Sequence, residues 1–211
     1  SIASKSTPVI SSALFIFSMF YRVSSAVIAP DLLQAFDLNA ESLGVLGGAF
    51  FYSFALMQIP MGVLLDRVGP RIVLTVFGLV GAIGAFVFAA ANTFFLAMVG
   101  RILIGAGMAS VLMGSFKIFV LRFSYNKFSI LSGILISIGT LGSILATSPL
   151  AWLSMNIGWR QTFVIAGCAT TIFALLIFWV IKENQEQAVI SSGPAIDNDK
   201  KIPLKTILHL V

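Results

Sequence analysis

Apolar residues run in long blocks along this chain, divided by short polar stretches. Six blocks reach the roughly 20 mostly apolar residues that a helix needs to cross a bilayer core. They cover 9–29, 42–65, 72–91, 94–120, 128–151 and 162–181. The fourth is long enough to tilt or to extend past the membrane. After Ile181 the pattern changes. Segment 183–202 carries Glu183, Asn184, Gln185, Glu186, Ser191, Ser192, Gly193, Asp197, Asn198 and Asp199, and reads as a flexible linker. Residues 203–211 look like the start of a further helix. The predicted organisation is therefore an all-α integral membrane bundle over 1–182, a linker over 183–202 and a new helix from 203.

Composition agrees. Mean hydropathy is +1.03, and only 10% of residues are charged, against about 25% in soluble domains. The net charge of +5 is scattered over short loops instead of forming a patch, so no nucleic-acid partner is expected. Cys168 stands alone in an apolar run, which excludes a disulfide framework within the chain. The first apolar block is too long for the core of a cleavable signal peptide, and more such blocks follow.

The loops set an orientation. Lys5, Arg67, Arg71, Arg122, Lys127, Lys182, Lys200, Lys201 and Lys205 fall on one side of the six spans, with Lys117 near it. The opposite loops, 30–41, 92–93 and 152–160, offer only Arg160. The positive-inside rule then puts the N-terminus and residue 211 in the cytoplasm. Trp152 and Trp159 flank the last external turn, as an interfacial aromatic belt requires. The expected location is a bacterial inner membrane.

Three motifs carry more than topology. Between the second and third spans lies Gly62-Val63-Leu64-Leu65-Asp66-Arg67-Val68-Gly69-Pro70-Arg71. Glycines supply its turns and Pro70 stops helix continuation. In the fourth span stands Arg101-Ile102-Leu103-Ile104-Gly105-Ala106-Gly107, and at the start of the sixth stands Gly158-Trp159-Arg160-Gln161-Thr162-Phe163. These resemble the G-x-L-x-D-R-x-G-x-R, R-x-x-x-G-x-G and G-W-R-x-x-F patterns of the major facilitator superfamily, in the right order and on the right faces. The resemblance spans nearly the whole chain. It implies one six-helix half, two three-helix inverted repeats, of a twelve-helix secondary transporter. It also implies that Gly62, Asp66, Arg67, Gly69 and Arg71 form a conformational latch. In that latch Asp66 meets the positive end of a helix dipole in the second half. The fifth span has the spaced glycines Gly139 and Gly142 but lacks the Gly-Pro of the antiporter motif, which counts against a drug–proton antiporter.

Arg22 is the leading candidate for chemistry. A charge inside a membrane helix costs roughly 2.5–3.5 kcal/mol on insertion scales and usually faces a cavity or a partner. Ser11, Ser18, Arg22 and Ser25 share one side of the first span, with Tyr21 beside them. A guanidinium matches a carboxylate or phosphate bidentately. Arg101 is the second candidate. Counting about 1.5 Å per residue, both arginines lie about 20 Å from the cytoplasmic side of a core about 30 Å thick. Two cations with no embedded acid between them should attract an anion. Gln58 and the fifth-span stripe of Ser137, Thr140, Ile144 and Thr147 add candidate hydrogen-bonding groups. Glycines Gly44 and Gly48, and Gly78 and Gly81 with Ala85, are expected to permit close helix packing. Lys117 is expected to snorkel to the interface.

Phe20-Tyr21-Arg22-Val23-Ser24 is similar to the D-R-x-N pattern of organic-anion symporters within the superfamily. That resemblance implies that Arg22 binds a substrate carboxylate. Tyr21 replaces the proton-coupling Asp, and Met108 stands where such relatives often carry a Glu. All acids sit at span ends or in loops; Asp31, at the outer end of the first span, is the nearest candidate for a proton relay. The expected function is proton-coupled transport of a small anionic or zwitterionic solute by alternating access. Its site residues are Arg22, Tyr21, Arg101, Gln58, Ser25 and Thr140. Alternatives are a drug or cation exporter of the same fold and a non-transporting sensor or scaffold. Paired acids, activated nucleophiles and metal-ligand clusters are missing from the spans, so neither an enzyme nor a metal or other cofactor is expected.

Overall fold

The computed structural model describes residues 2–122 and 125–181. The predicted linker and the helix start at 203 lie outside these residues. The described residues form six long helices and one short one: α1 (Ile2–Val27), α2 (Ala29–Phe36), α3 (Ala40–Arg67), α4 (Pro70–Ala89), α5 (Phe94–Arg122), α6 (Tyr125–Ile157) and α7 (Trp159–Val180). Each predicted span falls on one long helix. Stretches of α1, α3, α4, α5 and α7 are long and apolar enough to cross a membrane, and α6 adds an apolar run over Lys127–Thr140.

Helix ends follow local chemistry. Gly69 (φ 90°) and Gly158 (φ 87°) immediately precede α4 and α7. Their positive φ strains any side-chain-bearing residue, so glycine is what lets the chain reverse within one residue. Pro70 then opens α4, where its missing N–H costs nothing. Asn39 caps α3 by accepting from the Ser42 amide at 2.8 Å.

Two loops read from sequence are shorter than expected. Residues 30–41 contain α2, because Pro30 sits at a helix start and Asp31 occupies the favourable first turn. The turn predicted at 152–160 is helical through Ile157, with Pro149 inside α6.

α4 is the most enclosed helix, packed against α5 and α7; α5 also packs on α3, and α1 packs on α6. Small residues set these distances. A Cβ added at Gly84 would lie 2.6 Å from the Ile104 amide nitrogen, and one at Gly100 would lie 2.7 Å from that of Phe88. The α4 and α5 backbones therefore touch, as helices do in lipid where van der Waals packing replaces the hydrophobic effect. Gly78 and Gly81 serve this packing as predicted, against Ala174 and Gly107, and Ala85 is fully buried. Gly44 and Gly48 do not. No other group among the described residues comes within 4 Å of a Cβ at Gly44, and Gly48 meets only the Tyr52 ring of its own helix. The close approach falls instead at Gly47, whose added Cβ would contact Ser25 of α1 at 3.8 Å. α3 is little covered in this bundle, with Leu46, Phe50, Met61 and Leu65 as its buried residues.

Candidate anion site and candidate latch

Arg22 leaves α1 toward α3. Its guanidinium carbon lies 5.0 Å from the Phe54 ring centroid and 6.0 Å from that of Phe51. The residue is half-buried, and its Nε is enclosed with no hydrogen-bond partner among the described residues. Aromatic faces attract a cation through their quadrupole but leave its N–H donors unspent. Phe51 and Phe54 sit at i and i+3 on α3, so one turn of that helix presents both rings.

Ser25 follows one turn along α1, half-buried near Gly47. Gln58 is half-buried one turn beyond Phe54. Thr140 is exposed on α6 and donates to Ile136 O at 2.9 Å. Ser137, Ile144 and Thr147 of the same stripe are exposed as well. No hydrogen bond among the described residues joins Gln58 or Thr140 to Arg22. The serine stripe of the first span is divided: Ser11 and Ser18 are buried, whereas Arg22 and Ser25 keep partial exposure.

Arg101 and Tyr21 stand on the other side of α1. Arg101 is 0% exposed. Its Nη1 donates to Ser24 Oγ at 3.0 Å and to Tyr21 O at 3.3 Å. Its guanidinium carbon lies 4.4 Å from the Phe88 ring centroid of α4 and 5.4 Å from that of Phe163 of α7. Nε and Nη2 are enclosed with no hydrogen-bond partner among the described residues. Tyr21 is likewise 0% exposed. Its hydroxyl lies 3.1 Å from Thr170 Oγ1 of α7. Thr170 already donates its only hydroxyl proton to Ala166 O at 2.8 Å, so Tyr21 is the donor of that pair. The sequence arithmetic placed Arg22 and Arg101 at one depth, and Arg101 meets α1 at the residue next to Arg22. The structure, however, points the two side chains to opposite sides of α1.

At the end of α3, Asp66 Oδ1 accepts from Lys117 Nζ of α5 at 2.7 Å. The pair borders an apolar depression of about 280 Å3 whose walls include Gly62, Leu65, Met113 and Phe116. Arg67 is exposed and Gly69 forms the turn. Arg71, in the first turn of α4, donates from Nε to Phe178 O at 3.0 Å and stacks 4.1 Å from the Phe178 ring centroid. It thereby clamps α4 to the last turn of α7, where orphan carbonyls favour a cation. Sequence reading expected Lys117 at the interface and missed its partner, because the two residues lie 51 positions apart. It also missed Ser24 and Thr170 as polar contacts. Ser24 was legible only as the residue one turn after Tyr21.

At the opposite end, Arg160 Nη1 donates to Ala89 O at 2.9 Å and to Ala91 O, closing the C-terminus of α4. Ser154 Oγ donates to Asp31 Oδ2 at 2.8 Å and ties α6 to α2. Asp31, Asp37, Glu41 and Asp66 all lie at helix ends, and no group of three or more His, Cys, Asp or Glu among the described residues could hold a metal.

The chain is similar to several known proteins. An uncharacterized transporter, YybO, from Bacillus subtilis (strain 168) is 29% identical over 180 residues, covering 83% of this chain and 40% of the relative. A probable sulfoacetate transporter, SauU, from Cupriavidus necator is 24% identical over 174 residues, covering 82% of this chain and 40% of the relative. The hexuronate transporter of Escherichia coli (strain K12) is 24% identical over 167 residues, covering 78% and 39%. The chain thus spans about 40% of the length of these relatives. The fold matches the crystal structure of a bacterial homologue of the human lysosomal transporter Spinster, inward-facing and unoccupied. That match has a TM-score of 0.77 at 20% identity and covers 86% of this chain and 43% of the other. The description of the Major Facilitator Superfamily fits residues 10–209, and the chain belongs to that family of membrane transporters, which are not enzymes.

Proposed function

We propose that the protein moves a small carboxylate-bearing solute across the membrane by alternating access, with Arg22 as its main anion ligand. The observation that carries this reading is the state of Arg22. It is a half-buried cation held by two aromatic faces, with an enclosed Nε that has no acceptor among the described residues. An arriving carboxylate would supply what the fold withholds. Similar proteins named for a substrate support the class: sulfoacetate, galactarate/D-glucarate and hexuronate are all organic acids. Ser25, Gln58 and Thr140 are the hydrogen-bonding groups that would complement Arg22. A second six-helix half would close the other wall of the site. Proton coupling, the default for the family, would then draw on that half.

Asp66 would work as the latch by trading partners. In one state it pairs with Lys117, as here. In the other it meets the N-terminus of a helix from the second half, seated in the depression beside Gly62. Arg67 anchors this end in the cytoplasmic leaflet, with Arg71 holding α4 to α7.

Uptake into proteoliposomes tests the site. The intact protein would be given labelled D-glucuronate, D-glucarate and sulfoacetate, with D-glucose and tetraphenylphosphonium as neutral and cationic controls. Saturable uptake of one anion, lost in Arg22→Gln, is expected. Uptake of the cation alone, or full anion uptake by the variant, would overturn the reading.

A further inference from the structure

We infer that Arg101 is a positioning residue for the anion site: it never touches the solute, but fixes the turn of α1 from which Arg22 projects. The inference rests on the reading of Arg22 as the anion ligand. Three observations carry it.

First, Arg101 has no surface to offer. It is fully buried at the junction of α1, α4, α5 and α7, stacked near Phe88 and Phe163. A solute could reach it only if this packing opened.

Second, its hydrogen bonds among the described residues all go to one turn of α1. Nη1 bridges Tyr21 O and Ser24 Oγ, and Ser24 Oγ itself donates to Tyr21 O at 2.8 Å. Tyr21 O thus accepts from both, and Ser24 links the cation to the helix carbonyl. The Tyr21 hydroxyl fastens the same turn to Thr170 of α7. The turn is held by a side chain from α5 and by one of its own reaching α7.

Third, Arg22 leaves that turn on the far side. At about 100° per residue, Ser24 lies about 200° around the helix from Arg22. Arg22 accordingly meets α3 through Phe51 and Phe54, while Arg101 meets α4 and α7. A shift of α1 by a fraction of a turn would swing Arg22 off those rings. A planar guanidinium stacked on an aromatic face and bonded twice at one nitrogen resists that rotation; an ammonium on a flexible stem resists it less.

The test is a set of variants of the intact protein in proteoliposomes with labelled D-glucuronate. Arg101→Lys keeps the charge and Ser24→Ala keeps Arg101, so neither removes the buried cation. Both should raise KM with kcat nearly unchanged, Arg101→Lys by about tenfold, the scale of one charge-assisted hydrogen bond. Arg22→Lys keeps uptake measurable and closes a double-mutant cycle. Once Arg22 is shortened, Ser24→Ala should cost much less than it does alone, because its effect runs through Arg22. A merely structural role would leave the two effects additive. Additive effects, or a fall in kcat with KM unmoved, would overturn the inference while leaving the anion site standing. A normal KM in Arg22→Gln would instead overturn the anion site itself, and this inference with it.

Discussion

Lys117 Nζ lies 2.7 Å from Asp66 Oδ1, joining the lower part of α5 to the last turn of α3. An acid in a final helical turn faces the negative end of the dipole, so Asp66 is badly placed by its own helix. Lys117 offsets that from the neighbouring helix. Both side chains keep solvent contact, at 32% and 68% exposure, which limits the pair to about 0.2–1 kcal/mol.

Lys117→Met should therefore lower the thermal midpoint of the purified protein only slightly. The difference from wild type should shrink as salt rises from about 0.01 M to about 1 M, where the screening length falls to about 3 Å. A loss that ignores salt would mean that Lys117 acts through its methylene packing against the apolar depression.

Tyr21→Phe removes one buried hydroxyl and leaves Thr170 bonded to Ala166 O. The expected loss is about 1 kcal/mol of stability, with a rise in the solute KM smaller than that of Arg101→Lys, because Arg101 still holds the turn. A KM raised more than in Arg101→Lys would put the Tyr21 hydroxyl back among the solute ligands.

Gly100→Val and Gly44→Ala probe opposite environments. At Gly100 a side chain meets the backbone of Phe88 at 2.7 Å, and forcing α4 from α5 should cost about 1–3 kcal/mol or more. At Gly44 a methyl meets open space, and the entropic penalty of glycine should be relieved by up to about 1 kcal/mol. Thermal unfolding in detergent reads both. A marked loss in Gly44→Ala would reveal another surface packed on that face of α3.

Arg160→Gln should free the carbonyls of Ala89, the last residue of α4, and of Ala91 just beyond it. Hydrogen bonds from a charged donor are worth about 1.5–3 kcal/mol, so the end of α4 should fray. Hydrogen exchange over residues 86–94 should accelerate in the variant, while the far end of α4 near Arg71 keeps wild-type protection.

Much of the fold was legible before any coordinates. Apolar blocks of bilayer length gave each long helix, because in lipid a spanning segment must satisfy its own backbone. Gly69-Pro70 and Gly158-Trp159 marked two helix starts, since positive φ and a proline ring act locally. The loop around Asp66 and the Arg101 and Gly158 motifs were enough to suggest the family. One misreading was also local in kind: α2 was taken as loop, although Pro30 and Asp31 are good helix-start residues.

Tertiary structure alone decided which way each buried polar side chain points. A span that is apolar on every side carries little trace of which face is interior, so Arg101 read as a second anion ligand behind Arg22. Packing separates them. Glycine contacts bring α4, α5 and α7 together around Arg101, while α1 and α3 leave Arg22 half-open. The same holds for Lys117 and Asp66, and for Gly47 taking the contact predicted for Gly44 and Gly48. Spacing along one helix determines periodicity, but the rotation of that helix against its neighbours is fixed by side chains far away in sequence.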